Sequence, residues 1–223
     1  MDNKLLKDAI IKYVAGVVLI GLLLFIPAGT IRWKNAWIFM FVLFVPMFIA
    51  GIVMYLKAPN LLRSRLNAKE TQSEQQSVIK YSGLMFVFSF VLAGLNYRFG
   101  WFVLPEAVSY CAVIVFLLAY AMFGEVLREN AYLSRTIEVQ ENQKVVDTGL
   151  YGIVRHPMYS ATVLLFLSMP LILGSLISFL IMLLYIPLIV KRIRNEEEVL
   201  EKELDGYKEY KQKIKYRLIP YIW

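Results

Sequence analysis

Long apolar runs alternate with short polar bridges along most of the chain. Six apolar segments can be drawn, at 11–28, 36–56, 78–97, 102–123, 157–173 and 176–190. Each is predicted to be a helix, because a backbone placed in lipid must satisfy its own hydrogen bonds. The stretch 158–190 contains no charged residue at all. A single bilayer crossing takes ~20 apolar residues, so this stretch must double back, most simply at Gly174-Ser175. Its two arms are short for full spans, which suits a tilted hairpin, a thin patch of bilayer or a partial crossing. Pro46, Pro170 and Pro187 mark expected kinks, and Pro105 suits the first turn of the fourth helix. The polar flanks of the hairpin, 149–157 and 191–198, then meet at one rim.

Composition strengthens this reading. The chain has 223 residues, of which 59% are hydrophobic, with a mean hydropathy of +0.58. Soluble domains average nearer ~45–50% apolar. The fold class is therefore all-α, a polytopic membrane protein with about six transmembrane helices, the last two forming a hairpin. The run 13–28 follows Lys4, Lys7 and Lys12 and leads at once to Arg32 and Lys34. It reads as a retained first helix, not a cleaved leader. With the amino terminus inside, only Arg32, Lys34 and Arg98 of the 24 Lys and Arg residues fall outside. Inner segments hold the rest, including Lys57, Arg63, Arg65, Lys69, Lys80, Arg128, Arg135, Lys144 and Arg155. That bias orients both termini and the hairpin rim towards the cytoplasm.

The net charge of +7 suits anionic headgroups. The bases are scattered over loops between spans, so nucleic acid is not an expected partner. Cys111 is the sole cysteine and His156 the sole histidine, so cysteine- and histidine-rich metal sites are excluded and no metal is expected.

The chain divides into 1–131, carrying helices one to four, and 132–223, carrying a connector, the hairpin and the tail. The connector contains Ile137-Glu138-Val139-Gln140, then Val145-Val146, then an expected turn at Asp147-Thr148-Gly149. It reads as structured, with an extended character. The tail 192–215 spaces Ile193, Val199, Leu200, Leu204 and Tyr207 as one amphipathic helix. The loop 57–77 is polar and expected at the surface.

Two clusters at the rim carry candidate chemistry. In Arg155-His156-Pro157-Met158-Tyr159, proline disfavours helix at His156 and starts one at Pro157. The helix start offers amide donors, and Tyr151 and Tyr159 offer flat faces and hydroxyls. The plain alternative is a border cluster that anchors a helix. Arg192 and Glu196 are four residues apart on one helical face. They form either an ordinary surface ion pair or, at the membrane border, a carboxylate grip and a cation contact.

Together the clusters resemble a family. The run Gly149-Leu150-Tyr151-Gly152-Ile153-Val154-Arg155-His156-Pro157-Met158-Tyr159 resembles the G-x-Y-x-x-V-R-H-P-x-Y signature of isoprenylcysteine carboxyl methyltransferases and their bacterial relatives. Arg192-Ile193-Arg194-Asn195-Glu196-Glu197 is similar to that family's R-I-x-x-E-E. Tyr207-Lys208-Glu209-Tyr210 and Arg217-Leu218-Ile219-Pro220 are similar to its Y-x-x-Y and R-x-I-P elements. Ser160 and Ala161 stand where the family usually has a small residue and glycine, and the usual F-G before the paired tyrosines is replaced by Leu204-Asp205-Gly206. The resemblance covers roughly residues 140–220, and helices one to four carry none of it.

The resemblance implies an integral membrane methyltransferase using S-adenosylmethionine (SAM), with a lipophilic or small methyl acceptor reached from the bilayer. It implies that Gln140, Lys144, Val145, Val146, Tyr151, His156, Pro157 and Tyr159 line the cofactor pocket. It also implies that Glu196 contacts the cofactor and Arg192 faces the acceptor, these two being the catalytic pair. Transfer from a sulfonium to a carboxylate removes both charges and gains from a dry site without a strong base. An isoprenylcysteine-type carboxylate is the favoured acceptor. A lipid amine or thiol, a sterol-reductase-like enzyme and a non-enzymatic membrane scaffold are the alternatives.

Overall fold

The computed structural model describes residues 3–67, 73–130, 132 and 139–223. Lys69, Arg135, Ile137 and Glu138, counted above in the charge bias and the connector, lie outside them. The described elements in chain order are α1 (Asn3–Ala28), α2 (Lys34–Lys57), α3 (Pro59–Asn67), α4 (Ser73–Phe99) and α5 (Glu106–Glu129). A single 3-10 turn (Gly149–Gly152) follows, then α6 (Pro157–Ile172), α7 (Leu176–Met182), α8 (Tyr185–Glu203) and α9 (Tyr207–Lys213).

Five helices among the described residues are long and apolar enough to cross a membrane, with Leu176–Glu203 counted as one. The shorter apolar α6 is the remaining arm. At ~1.5 Å per residue it reaches about 24 Å, less than the ~30 Å hydrocarbon core. The protein is thus a polytopic all-α membrane protein. Its surface agrees, because α1 turns Ile10, Ile11, Val14, Val18, Leu19, Leu22 and Ile26 outward. About half or more of each of these side chains is exposed, an apolar surface suited to lipid.

The core lies between helices. Leu24, Phe39, Phe116 and Ile172 are almost wholly buried and bring α1, α2, α5 and α6 together. The tightest approach is at Gly94 in α4, where a Cβ would stand 2.7 Å from the Leu24 carbonyl oxygen of α1. Small residues at helix crossings permit such contact in membranes. Pro46 lies inside α2 and withholds one intrahelical donor. Hydroxyls of Tyr120 and Tyr13 donate to the carbonyls of Leu43 and Phe44, in the turn before it.

The hairpin turns at the expected place. Gly174 has φ +73°, which a side chain would disfavour. Ser175 caps α7 by accepting from the Ser178 amide. The second arm is broken at Leu183-Leu184. Pro187 cannot donate to the Leu183 carbonyl, so a continuous helix would lose a bond there. Restarting at Tyr185 puts Pro187 in the first turn of α8, where no donor is needed.

Two expectations need correction. The tail is not one helix over 192–215. Helix α8 ends at Glu203, and Gly206 at φ +83° turns the chain into α9. That bend buries Leu204, Tyr207, Tyr210 and Ile214 against Val139, Val145 and Leu200. The segment 57–77 is also not merely a loop, since α3 occupies 59–67 with Pro59 at its first position.

Candidate functional site

Helix α6 begins at Pro157, and His156 caps it with φ −125° and ψ 60°. Its carbonyl accepts from the amides of Tyr159 and Ser160. Those first-turn donors, expected to face the cavity, are therefore committed within the helix. Across from them α8 rises from the apolar arm with Arg192 one turn before the adjacent Glu196 and Glu197. The Arg192 Nε donates to the Tyr159 hydroxyl at 2.9 Å, and that hydroxyl donates to Glu196. The expected surface pair is thus bridged by a buried tyrosine, and the Arg192 guanidinium also lies 6.0 Å from its ring centre.

Glu197 faces inward. It is 3% exposed and pairs with Arg155 at 2.8 Å and Arg217 at 2.9 Å, with His156 Nε2 at 3.2 Å. Backbone contacts reinforce this junction. The amides of Arg155 and His156 donate to the carbonyls of Tyr216 and Arg217. The Arg155 guanidinium also donates to the Ile214 and Lys215 carbonyls. Ser160 donates to the Leu218 carbonyl at 2.7 Å. The segment 214–218 is a strap that ties the start of α6 to the middle of α8.

The connector closes the other side. Asn130 donates to the Tyr151 hydroxyl at 3.0 Å, and Gln140 Nε2 donates to the Tyr132 carbonyl at 2.8 Å. Tyr210 donates to the Tyr151 carbonyl at 2.8 Å, and Lys213 pairs with Asp147 at 2.7 Å. Burial pushes the Tyr151 phenol up to about 12, and it pushes Tyr207 and Tyr210 higher still. All three stay neutral near pH 7, so each keeps a hydroxyl proton to donate.

These walls enclose one cavity of about 820 Å³, its open mouth included. Of the residues singled out from the sequence, Lys144, Val145, Val146, Tyr151, His156, Tyr159, Arg192 and Glu196 line it. Gln140 and Pro157 do not. Gln140 holds the connector turn, its side chain donating to the Tyr132 carbonyl and its amide to the Gln143 side chain, and Pro157 is wholly buried as the first residue of α6. Arg155, Leu200, Leu204, Tyr207 and Tyr210 also line the cavity and had been given no role. For Tyr207 and Tyr210 the signal was the paired tyrosines, and for Arg155 it was the first residue of the Arg-His-Pro run.

The donor set fits a cation with polar substituents. Tyrosine rings attract a cation at their faces, and Glu196 adds a carboxylate that is 23% exposed. Valines and leucines supply apolar walls for a flat ring. Among the described residues no group of His, Cys, Asp and Glu is arranged to hold a metal ion.

Known proteins match this half of the chain. Residues 112–202 match the family model of the isoprenylcysteine carboxyl methyltransferase (ICMT) family. The Delta(14)-sterol reductase TM7SF2 of Mus musculus is 32% identical over 91 residues, covering 40% of this chain. The chain spans only 22% of the length of that mouse protein. The solved structure of the eukaryotic intramembrane Ras methyltransferase ICMT, without a monobody, overlays with a TM-score of 0.61 at 18% identity. That overlay covers 96% of this chain and 77% of the solved one, so the shared fold includes α1 to α4, where no motif is legible. Residues 112–202 thus carry the likeness to the isoprenylcysteine carboxyl methyltransferase family model, and the fold that frames them is shared with that solved methyltransferase.

Proposed function

We propose that the protein is an integral membrane methyltransferase that uses SAM and methylates a lipophilic or small acceptor. A carboxylate of isoprenylcysteine type is the favoured acceptor, and the cavity opens towards the cytoplasm. One observation carries the reading: two polar clusters separated by an uncharged hairpin converge on a single cavity lined with tyrosines and a carboxylate.

SAM supplies an electrophilic methyl on a sulfonium sulfur. The chain's own residues then have separate tasks. Tyr151, His156 and the connector valines bind and orient the cofactor, while Glu196 faces its positive charge. Arg192, held through its Nε on the Tyr159 hydroxyl, brings its positive charge to a carboxylate acceptor. Alignment of the reacting atoms carries most of the catalysis, because an ionised carboxylate needs no proton removed. Burial among apolar side chains excludes water and strengthens each of these contacts.

Titration of the detergent-solubilised protein with SAM tests this. Saturable binding is expected, and a folded protein that binds none removes the reading. The mouse sterol reductase supports a second reading, a membrane reductase taking a nicotinamide dinucleotide. Titration with NADPH in parallel separates the two, since the methyltransferase reading expects SAM alone to bind.

A further inference from the structure

The mechanism leaves Glu197 unused. It does not line the cavity, yet it is among the most buried charged groups of the described residues. Its Oε1 accepts from Arg155 Nε at 2.8 Å, and its Oε2 accepts from Arg217 Nε at 2.9 Å. A carboxylate fixed between two guanidiniums can only accept hydrogen bonds. His156 Nε2, 3.2 Å from the same Oε1, must therefore carry a proton and donate it.

The rest of the ring follows from geometry. The Glu196 carboxylate facing Nδ1 stands beyond hydrogen-bond distance, so it offers no acceptor to a proton on that nitrogen, whereas Glu197 offers one to a proton on Nε2. A neutral ring with its proton on Nε2 leaves Nδ1 bare. That nitrogen points the other way, 3.9 Å from Glu196 Oε1 on the cavity wall. The ring is buried and packs beside the Tyr159 ring, with centroids 5.7 Å apart, which limits its rotation.

We propose that Glu197 is a positioning residue that holds the His156 proton on Nε2 and keeps Nδ1 as a hydrogen-bond acceptor facing the cavity. The group it suits is a hydroxyl or amino donor, which the SAM reading supplies from the cofactor's ribose or adenine. The strap acts in the same assembly, since Arg217 grips Glu197 with its side chain and His156 with its carbonyl. A purely structural ion cluster would hold the fold without selecting a tautomer.

His156 is the only histidine, so a protein labelled with 15N-histidine reports one ring. Two-bond proton–nitrogen correlation spectra in detergent, without SAM and near pH 7, distinguish the tautomers. The expected pattern is a protonated Nε2 and a bare Nδ1. A ring protonated on Nδ1, or on both nitrogens, overturns the proposal. In Glu197→Gln the preference is expected to relax to a mixture of tautomers, with SAM affinity reduced about tenfold. An unchanged tautomer in a folded Glu197→Gln protein also overturns it. If that variant does not fold, the wild-type spectrum alone decides. The expected wild-type tautomer in a protein that never binds SAM removes the methyltransferase reading and leaves the assignment of Glu197 standing.

Discussion

Glu196 and Glu197 are adjacent in sequence and differ in task because a helix turns about 100° per residue. Glu196 faces the cavity and Tyr159, while Glu197 faces Arg155, Arg217 and His156. Removing one partner of a buried ionic cluster leaves the others uncompensated, at a cost of roughly 3–5 kcal/mol. Glu197→Ala is therefore expected to lower the unfolding midpoint sharply in detergent, and Glu196→Ala to leave it nearly unchanged. A larger loss for Glu196→Ala would contradict this division. Arg192→Ala is expected to reduce acceptor turnover with little change in SAM binding. Tyr151→Ala and His156→Ala are expected to weaken SAM binding itself. Equal and negligible effects from all three would return the clusters to the role of border anchors.

At the scale of elements, helix ends set the site more than helix bodies do. Pro157 starts α6 at the rim, Pro187 restarts α8, and Gly206 turns α9 back over the connector. The strap 214–218 is tied to the start of α6 by backbone bonds and to α8 by the Arg217 side chain on Glu197. Truncation after Lys213 is expected to abolish SAM binding and to open the connector 139–148 to protease, as judged by limited proteolysis. A truncated protein that binds SAM normally would show the strap to be dispensable. Between helices, Gly94 admits no Cβ beside Leu24, whereas Gly83 on the same helix has nothing within 4 Å. Gly94→Val is expected to cost about 1–3 kcal/mol of stability. Gly83→Val, measured by the same unfolding assay, is expected to change little.

At the scale of the whole molecule, the apolar exterior and the uneven charge distribution act together. Exposed Ile, Leu, Val and Phe side chains on α1, α2, α4 and α5 demand lipid around the protein. By the charge bias, Arg32 and Lys34 are expected at the membrane border opposite the cavity. We expect a cysteine placed at Arg32, in a Cys111→Ser background, to react with an impermeant thiol reagent on intact cells. A cysteine at Lys208 is expected to react only after permeabilisation. The reverse pattern would invert the orientation and move the cavity outside.

Periodicity and charge by themselves determined the helical membrane class, the hairpin and its turn at Gly174, because lipid permits few backbone solutions for uncharged runs of that length. Motif residues gave most of the cavity wall, from Lys144 to Glu196, since type and order survive in one dimension. Direction did not. A sequence cannot state which of two neighbouring glutamates points inward, whether a tail helix bends at Leu204-Asp205-Gly206, or which carbonyls receive Arg155. Those depend on contacts between residues 20 to 60 apart in the chain, such as Arg217 with Glu197 and Tyr210 with Tyr151. Only packing in three dimensions selects them, because each satisfies a buried polar group that local structure leaves open.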